Sequence, residues 1–129
     1  MDKLAALLYF AVGFVNLLPV TGVLSVGRLH TLYGVSLANP NVIILMRHRA
    51  VLFGVIGILL IAAAFHTPLR PVALAAGLVS MLSFVFVAYL VGEFNTELRR
   101  VVIVDVVASV LLVGAGLMAL WSSSRGPAA

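Results

Sequence analysis

The sequence predicts an all-α integral membrane protein, a four-helix bundle of up-down topology in a single domain. Hydrophobic residues make up 64% of the chain and charged residues 9%, and the mean hydropathy is +1.25. A soluble domain is only about 45–50% apolar and about 25% charged. A membrane helix needs about 20 apolar residues, so 129 residues hold about four spans. We place them at residues 4–26, 43–65, 72–92 and 98–121.

The charge balance indicates contact with membrane lipids. The net charge is +4 and the pI is about 10.4, values that in a soluble protein would suggest nucleic acid. Here the basic residues lie at the ends of apolar runs, where they meet anionic headgroups. We therefore expect membrane lipids as partners and no nucleic acid. Cysteine is absent, which excludes disulfides, thiolate nucleophiles and thiolate metal sites.

The first span is too long to be the apolar region of a signal peptide, and no clear cleavage site follows it. Asn16 and Pro19 lie deep within it, and proline usually kinks a membrane helix. Asn16 either bonds to a neighbouring helix or lines a cavity. Residues 27–41 mix basic, aromatic and apolar side chains, a pattern that predicts a short interfacial helix between spans one and two.

The start of the second span is open between two positions. If the helix begins near Val42, Arg47 and Arg49 lie inside the apolar layer, whereas a start near His48 leaves both at the interface. One helix face carries Arg47 together with small residues that allow close helix packing. These residues are Ala50, Gly54, Gly57 and Ala64. We therefore predict that Arg47 points inward and that Arg49 is offset from it.

Residues 66–71 contain two prolines and predict a tight turn, so that spans two and three run antiparallel. The third span carries a small-residue stripe typical of helix packing. The stripe consists of Ala73, Ala76, Gly77, Ser80 and Ser83. Asn95 or Thr96 is expected to cap the fourth helix.

The fourth span contains one acidic residue, Asp105. A charge at the centre of a membrane helix costs at least about 2.5–3.5 kcal/mol, so it requires a partner or a wet cavity. Asp105 shares a helix face with mostly small residues, which predicts that it faces into the bundle. These residues are Ala108, Ser109, Leu112, Ala115 and Gly116.

Four spans bring loops one and three to the same side of the membrane. That side receives Arg28, His30, Arg47, His48, Arg49, Glu93, Glu97, Arg99 and Arg100, with Asp105 about two turns in. Lys3, His66, Arg70 and Arg125 lie on the other side. The greater number of Lys and Arg residues on the loop side favours cytoplasmic loops.

This cluster has two interpretations: headgroup anchors around one structural ion pair, or a polar pocket that binds a ligand. The preferred partner of Asp105 is Arg47, with Arg49 and His48 behind it. The candidate ligand-binding residues are Arg47, His48, Arg49, Glu93, Arg99, Arg100, Asp105 and Asn16.

No phosphate-binding glycine loop, nucleophile elbow or zinc-protease helix motif is present. Topology separates His66 from His30 and His48, so a three-histidine metal site is excluded. A haem between His30 and His48 remains an alternative, but we expect no metal and no cofactor.

Three segments resemble a known group of proteins: Leu-Tyr-Gly-Val at residues 32–35, Arg-His-Arg-Ala-Val-Leu-Phe-Gly at 47–54 and Arg-Arg-Val-Val-Ile-Val-Asp at 99–105. They resemble small bacterial four-helix membrane proteins of unknown function, the DoxX-like group. The resemblance implies a four-helix bacterial inner-membrane protein without a settled activity. DoxX is linked to quinone-coupled sulfur oxidation, and some similar sequences carry a phosphopantetheine adenylyltransferase label. No motif here supports either chemistry.

The sequence therefore favours a non-enzymatic membrane protein that binds a lipid or another amphiphile, or an accessory membrane subunit. One alternative is an enzyme on a membrane-dissolved substrate, with Asp105 and His48 as acid and base. Another is a small proton-coupled transporter, although the first span offers only Asn16, which does not titrate. The small-residue stripes are compatible with a homodimer.

Overall fold

The computed structural model describes residues 2–18 and 40–124. They form the helices α1 (Asp2–Leu17), α2 (Pro40–Phe65), α3 (Arg70–Val91) and α4 (Thr96–Ser124), with a 3-10 turn at Thr67–Leu69. Helices α2, α3 and α4 are long and apolar enough to cross a membrane, and α1 is a shorter apolar helix. The all-α bundle is confirmed, and α2, α3 and α4 agree with the predicted spans to within three residues. The predicted interfacial helix, Pro19, Arg28 and His30 lie outside the described residues.

The helix ends around α3 and α4 follow from local chemistry. Gly92 ends α3 in a left-handed conformation with φ 81°, and its N–H donates to the carbonyl of Ala88 at 3.0 Å. The side-chain oxygen of Asn95 accepts a hydrogen bond from the Leu98 N–H at 2.8 Å. This bond satisfies a backbone donor that the first turn of α4 leaves without a helical partner. Of the two caps that the sequence offers, Asn95 and Thr96, the structure therefore selects Asn95.

Arg70 joins three helices at the opposite end of the bundle. It is only 7% exposed, and its Nε and Nη2 donate to the carbonyls of Ala63 and Ala64 at 3.1 and 3.3 Å. These carbonyls belong to the last turn of α2, where no further helical N–H follows. The guanidinium also lies 5.5 Å from the centroid of the Tyr9 ring, and the Tyr9 hydroxyl donates to the Arg70 carbonyl. Arg70 thus fixes the α2–α3 corner against α1.

The four helices pack in a ring in which α1 contacts α2 and α4, and α3 contacts α2 and α4. Helices α1 and α2 approach closely at Gly13 and Gly57. A Cβ atom added at Gly57 would lie 2.8 Å from the Gly13 carbonyl oxygen. The two backbones therefore touch directly, as small residues allow in membrane bundles.

A second layer joins α2, α3 and α4. A Cβ atom added at Gly77 would lie 2.9 Å from Leu112 Cδ2 and 3.4 Å from Leu60 Cδ2. Leu60 and Leu112 are both fully buried. Leu60, Gly77 and Leu112 therefore lie at one level of the bundle. Because each helix rises about 1.5 Å per residue, the depth of other residues on α2, α3 and α4 can be counted from that level.

Candidate functional site

A cleft of about 1030 Å³ lies between α2 and α3. Its lining residues are Arg49, Leu52, Phe53, Val55, Ile56, Pro71, Val72, Ala75, Ala76, Val79, Ser80, Ser83, Phe84 and Val87. The α3 wall runs from Pro71 to Val87, about 24 Å at the rise of an α-helix. Several rim residues, among them Val55, Val72 and Val79, are exposed on the outside of the bundle. The cleft therefore opens sideways, towards the lipid.

The cleft has one cationic end. Of the residues that line it in the described part of the chain, Arg49 alone carries a charge. Its guanidinium carbon lies 4.9 Å from the centroid of the Phe53 ring and 4.2 Å from that of Phe84. Both distances are within the range of cation–π attraction. Cation–π contacts use the faces of a guanidinium, whereas hydrogen bonds are donated by its N–H groups in the plane of the group.

Two hydroxyl groups, those of Ser80 and Ser83, supply further polarity in the cleft. The Ser83 hydroxyl donates to the Ser80 carbonyl at 3.1 Å, so its oxygen retains the capacity to accept a hydrogen bond. The remaining walls are apolar. Apolar walls with a few placed polar groups are typical of small-molecule sites.

Asp105 lies in the bundle at the same depth as the two aromatic rings. Leu60, Gly77 and Leu112 mark one level in the bundle. Phe53, Phe84 and Asp105 each lie seven residues from the residue of their own helix at that level, and all three lie towards the same end. Seven residues correspond to about 10.5 Å along a helix. Asp105 is 7% exposed, which agrees with its predicted inward orientation. Its Oδ2 is buried and has no hydrogen-bond partner among residues 2–18 and 40–124.

Two further polar side chains lie deeper in the bundle. Ser109, one turn from Asp105 on α4, is 5% exposed, and its hydroxyl has no hydrogen-bond partner within the described helices. Asn16 is buried, and its amide nitrogen donates to the Val12 carbonyl at 2.9 Å and contacts the Met81 sulfur at 3.9 Å. Of the two roles considered for Asn16, the structure supports bonding inside the bundle, because Asn16 does not line the cleft.

The prediction that Arg47 is the inward arginine is wrong. Arg47 is exposed, whereas Arg49 is half-buried and lines the cleft beside Phe53 and Phe84. The two positions are about 200° apart on a helix, so they cannot both face the core. The prediction used only the small residues of α2, which share a helix face with Arg47. Phe53 is also buried, and it lies on the side of α2 that carries Arg49, so the side of α2 that faces the core is closer to Arg49. Helix α2 begins at Pro40, so both arginines lie within the helix. Of the two predicted starts, the one near Val42 is therefore confirmed and the one near His48 is wrong.

The remaining predicted site residues lie outside the cleft. His48, Glu93, Arg99 and Arg100 are all exposed, and none of them lines it. Their role in ligand binding stays a prediction. Within residues 2–18 and 40–124, no three His, Cys, Asp or Glu side chains are grouped to hold a metal ion.

The cleft was not predicted from the sequence, where the small-residue stripe of α3 reads as one packing surface. The structure divides the stripe: Ala73 and Gly77 are buried in the core, whereas Ala76, Ser80 and Ser83 line the cleft. The signal in the sequence is the position of the serines, which lie on the cleft side of the stripe.

No family model matches the chain, and no curated protein and no solved structure matches it. The resemblance to the DoxX-like group therefore stays a prediction.

Proposed function

We propose that this multi-pass membrane protein is a non-enzymatic protein of the bacterial inner membrane that binds a single-chain anionic amphiphile between α2 and α3. The observation that carries the proposal is the composition of the cleft. Its walls are apolar, it opens towards lipid, and Arg49, which lies at one end, is the one charged side chain among the described residues that line it. Such a site matches a molecule with one anionic head and one apolar chain.

The head of the ligand is assigned to the Arg49 end. A guanidinium forms paired, charge-assisted hydrogen bonds with a carboxylate or phosphate, and these are stronger than bonds between neutral groups. The contacts with Phe53 and Phe84 restrain the arginine before the ligand arrives, so less side-chain entropy is lost on binding. Ser80 and Ser83 add hydroxyl groups on the facing helix.

The chain of the ligand is assigned to the remaining length of the cleft. The α3 wall extends about 24 Å, most of the roughly 30 Å thickness of a hydrocarbon layer. Ala75 and Ala76 leave space between the helices where larger side chains would close it. A volume of about 1030 Å³ is at the upper end of the range for sites that hold one small molecule. This size favours one chain over a larger lipid.

The geometry gives less support to an enzyme that uses Asp105 and His48. His48 is exposed and Asp105 is buried, and neither lines the cleft. A general acid or base must come within hydrogen-bond reach of the reacting group. A ligand held in the cleft would contact Arg49 first.

The proposal is tested with two probes of equal chain length, dodecyl sulfonate and dodecanol, titrated into purified protein in maltoside micelles. We expect the anionic probe to bind more tightly, and Arg49→Gln to remove that preference. Arg47→Gln is the matched control, since Arg47 is exposed and lies outside the cleft. The proposal fails if both probes bind equally to the unaltered protein, or if Arg47→Gln has the same effect as Arg49→Gln.

A further inference from the structure

We infer that the ligand of the cleft carries one negative charge and not two, and that its head is held below the membrane surface. The inference rests on the proposed function, which places an anionic head at Arg49, and it names the class of head that the site accepts. That class includes carboxylates, sulfonates and phosphate diesters. It excludes phosphate monoesters, which carry a second negative charge. Two observations support it: the depth of the Arg49 guanidinium, and the absence of a second cation among the described residues that line the cleft.

Exposed interfacial residues of α4 mark the two surfaces of the hydrocarbon layer. Arg99 and Trp121 are both exposed, and arginine and tryptophan are typical of membrane interfaces. They are 22 residues apart on α4, which corresponds to about 33 Å, close to the roughly 30 Å thickness of a hydrocarbon layer. Arg99 lies 13 residues before Leu112. Arg47 of α2 also lies 13 residues before Leu60, which is level with Leu112. Arg47 and Arg99 therefore mark the same membrane surface.

The guanidinium of Arg49 lies below this surface. The Cα atom of Phe53 is six residues deeper than that of Arg47 on α2, about 9 Å at the rise of a helix. An arginine inside a membrane helix usually extends towards the nearer interface. The guanidinium carbon of Arg49 instead lies 4.9 Å from the ring centroid of Phe53, one turn further from that surface, and 4.2 Å from that of Phe84. Two aromatic rings therefore keep this cation inside the apolar layer.

The depth of the site makes the number of charges on the head decisive. Opposite charges attract more strongly in apolar surroundings than in water, but removing an ion from water also costs more there. One guanidinium compensates one negative charge, and it forms two parallel hydrogen bonds with a head that presents two oxygens. A second negative charge would enter the apolar layer without a counter-charge. Such a charge is costly to bury, so a dianionic head is excluded from the cleft.

No other described residue around the cleft supplies a second positive charge at this depth. Ser80 and Ser83 add hydroxyl groups, which are neutral. Asp105 lies at the same depth inside the bundle, and its side chain is an acid, so it cannot compensate a second negative charge. Arg47 and Arg99 lie at the membrane surface and do not line the cleft. A head bound to those surface arginines would show the opposite order, because a dianion attracts cations more strongly in water than a monoanion does.

The experiment compares two heads that differ by one charge on the same chain. Dodecyl phosphate and its methyl ester are titrated calorimetrically into the purified protein in maltoside micelles. At about pH 8 dodecyl phosphate carries close to two negative charges, because the second pKa of a phosphate monoester is about 6, whereas the ester carries one. We expect the ester to bind at least about tenfold more tightly, a difference of about 1.4 kcal/mol. Arg49→Gln should remove this preference.

A second cation placed in the cleft should abolish the selectivity. Ser83 is exposed, lines the cleft and precedes Phe84, so Ser83→Arg adds a positive charge near the head without replacing a core residue. We expect Ser83→Arg to bind dodecyl phosphate at least as tightly as its methyl ester. Ser83→Gln adds a long polar side chain without a charge. It is the matched control and should keep the preference of the unaltered protein.

The outcomes separate this inference from the proposed function. If the unaltered protein binds neither dodecyl sulfonate nor the methyl ester more tightly than dodecanol, the proposed function is overturned and this inference with it. If the sulfonate is preferred to dodecanol but dodecyl phosphate binds as tightly as its ester, this inference alone is overturned. The same holds if the preference for the ester survives in Arg49→Gln or is lost in Ser83→Gln. If Ser83→Arg does not fold, the two phosphates still decide on the unaltered protein and on Arg49→Gln.

Discussion

Replacing Gly57 by alanine should separate α1 from α2 and destabilise the bundle. The new Cβ atom would lie 2.8 Å from the Gly13 carbonyl oxygen and 2.9 Å from the Leu17 side chain, whereas ordinary contacts begin near 3.4 Å. A backbone oxygen cannot turn aside as a side chain can. Helix α1 must therefore move by about 0.6 Å or more, the difference between 3.4 and 2.8 Å. Overpacking of this kind costs about 1–3 kcal/mol.

Gly114→Ala is the matched control for this prediction. A Cβ atom at Gly114 meets nothing within 4 Å. Both substitutions exchange glycine for alanine within a helix, so the gain in helix propensity, about 1 kcal/mol in water, largely cancels between them. The difference in unfolding free energy between the two variants should then be about 1–3 kcal/mol, measured by titrating maltoside micelles with dodecyl sulfate. Equal stability of the two variants would refute the direct contact of α1 and α2 at this point.

Two further substitutions test the helix ends. Arg70→Gln removes a charged donor from the Ala63 and Ala64 carbonyls. Because hydrogen bonds to charged groups contribute about 1.5–3 kcal/mol each, the melting temperature should fall clearly. Lys3→Gln, at an exposed position, is the control and should leave the melting temperature unchanged. Asn95→Ala removes the cap of α4 and should cost about 1 kcal/mol, seen as faster amide hydrogen exchange at Leu98; unaltered exchange there would show that the cap contributes nothing.

The positions of α2, α3 and α4 could be predicted because their apolar runs are long, although the sequence left the start of α2 open between Val42 and His48. The prolines at 68 and 71 identify the α2–α3 corner, and the pair Asn95 and Thr96 identifies the start of α4. The inward orientation of Asp105 also followed from the sequence, since the small residues around it mark a packed face. In each case the signal lies within one helix and needs no knowledge of its neighbours.

Contacts between different helices could not be predicted from the sequence in the same way. The choice between Arg47 and Arg49 depends on which large side chain of α2 is buried, and the burial of Phe53 depends on packing with the other helices. Arg70 was expected at the membrane surface, but it bonds to carbonyls that are exposed only because α2 ends at Phe65. The cleft depends on the separation of α2 and α3, a distance that no periodicity in either helix encodes.

The central claim is that an anionic amphiphile lies between α2 and α3 with its head at Arg49. The most direct test is photo-crosslinking in reconstituted membranes with dodecyl sulfonate that carries a diazirine in its chain, followed by mass spectrometry. We expect labels on Val55, Val72 and Val79, and few on Val110 of α4, which is equally exposed to lipid. Arg49→Gln should abolish the preference. Labelling spread evenly over all four helices, or unchanged in Arg49→Gln, would contradict the account.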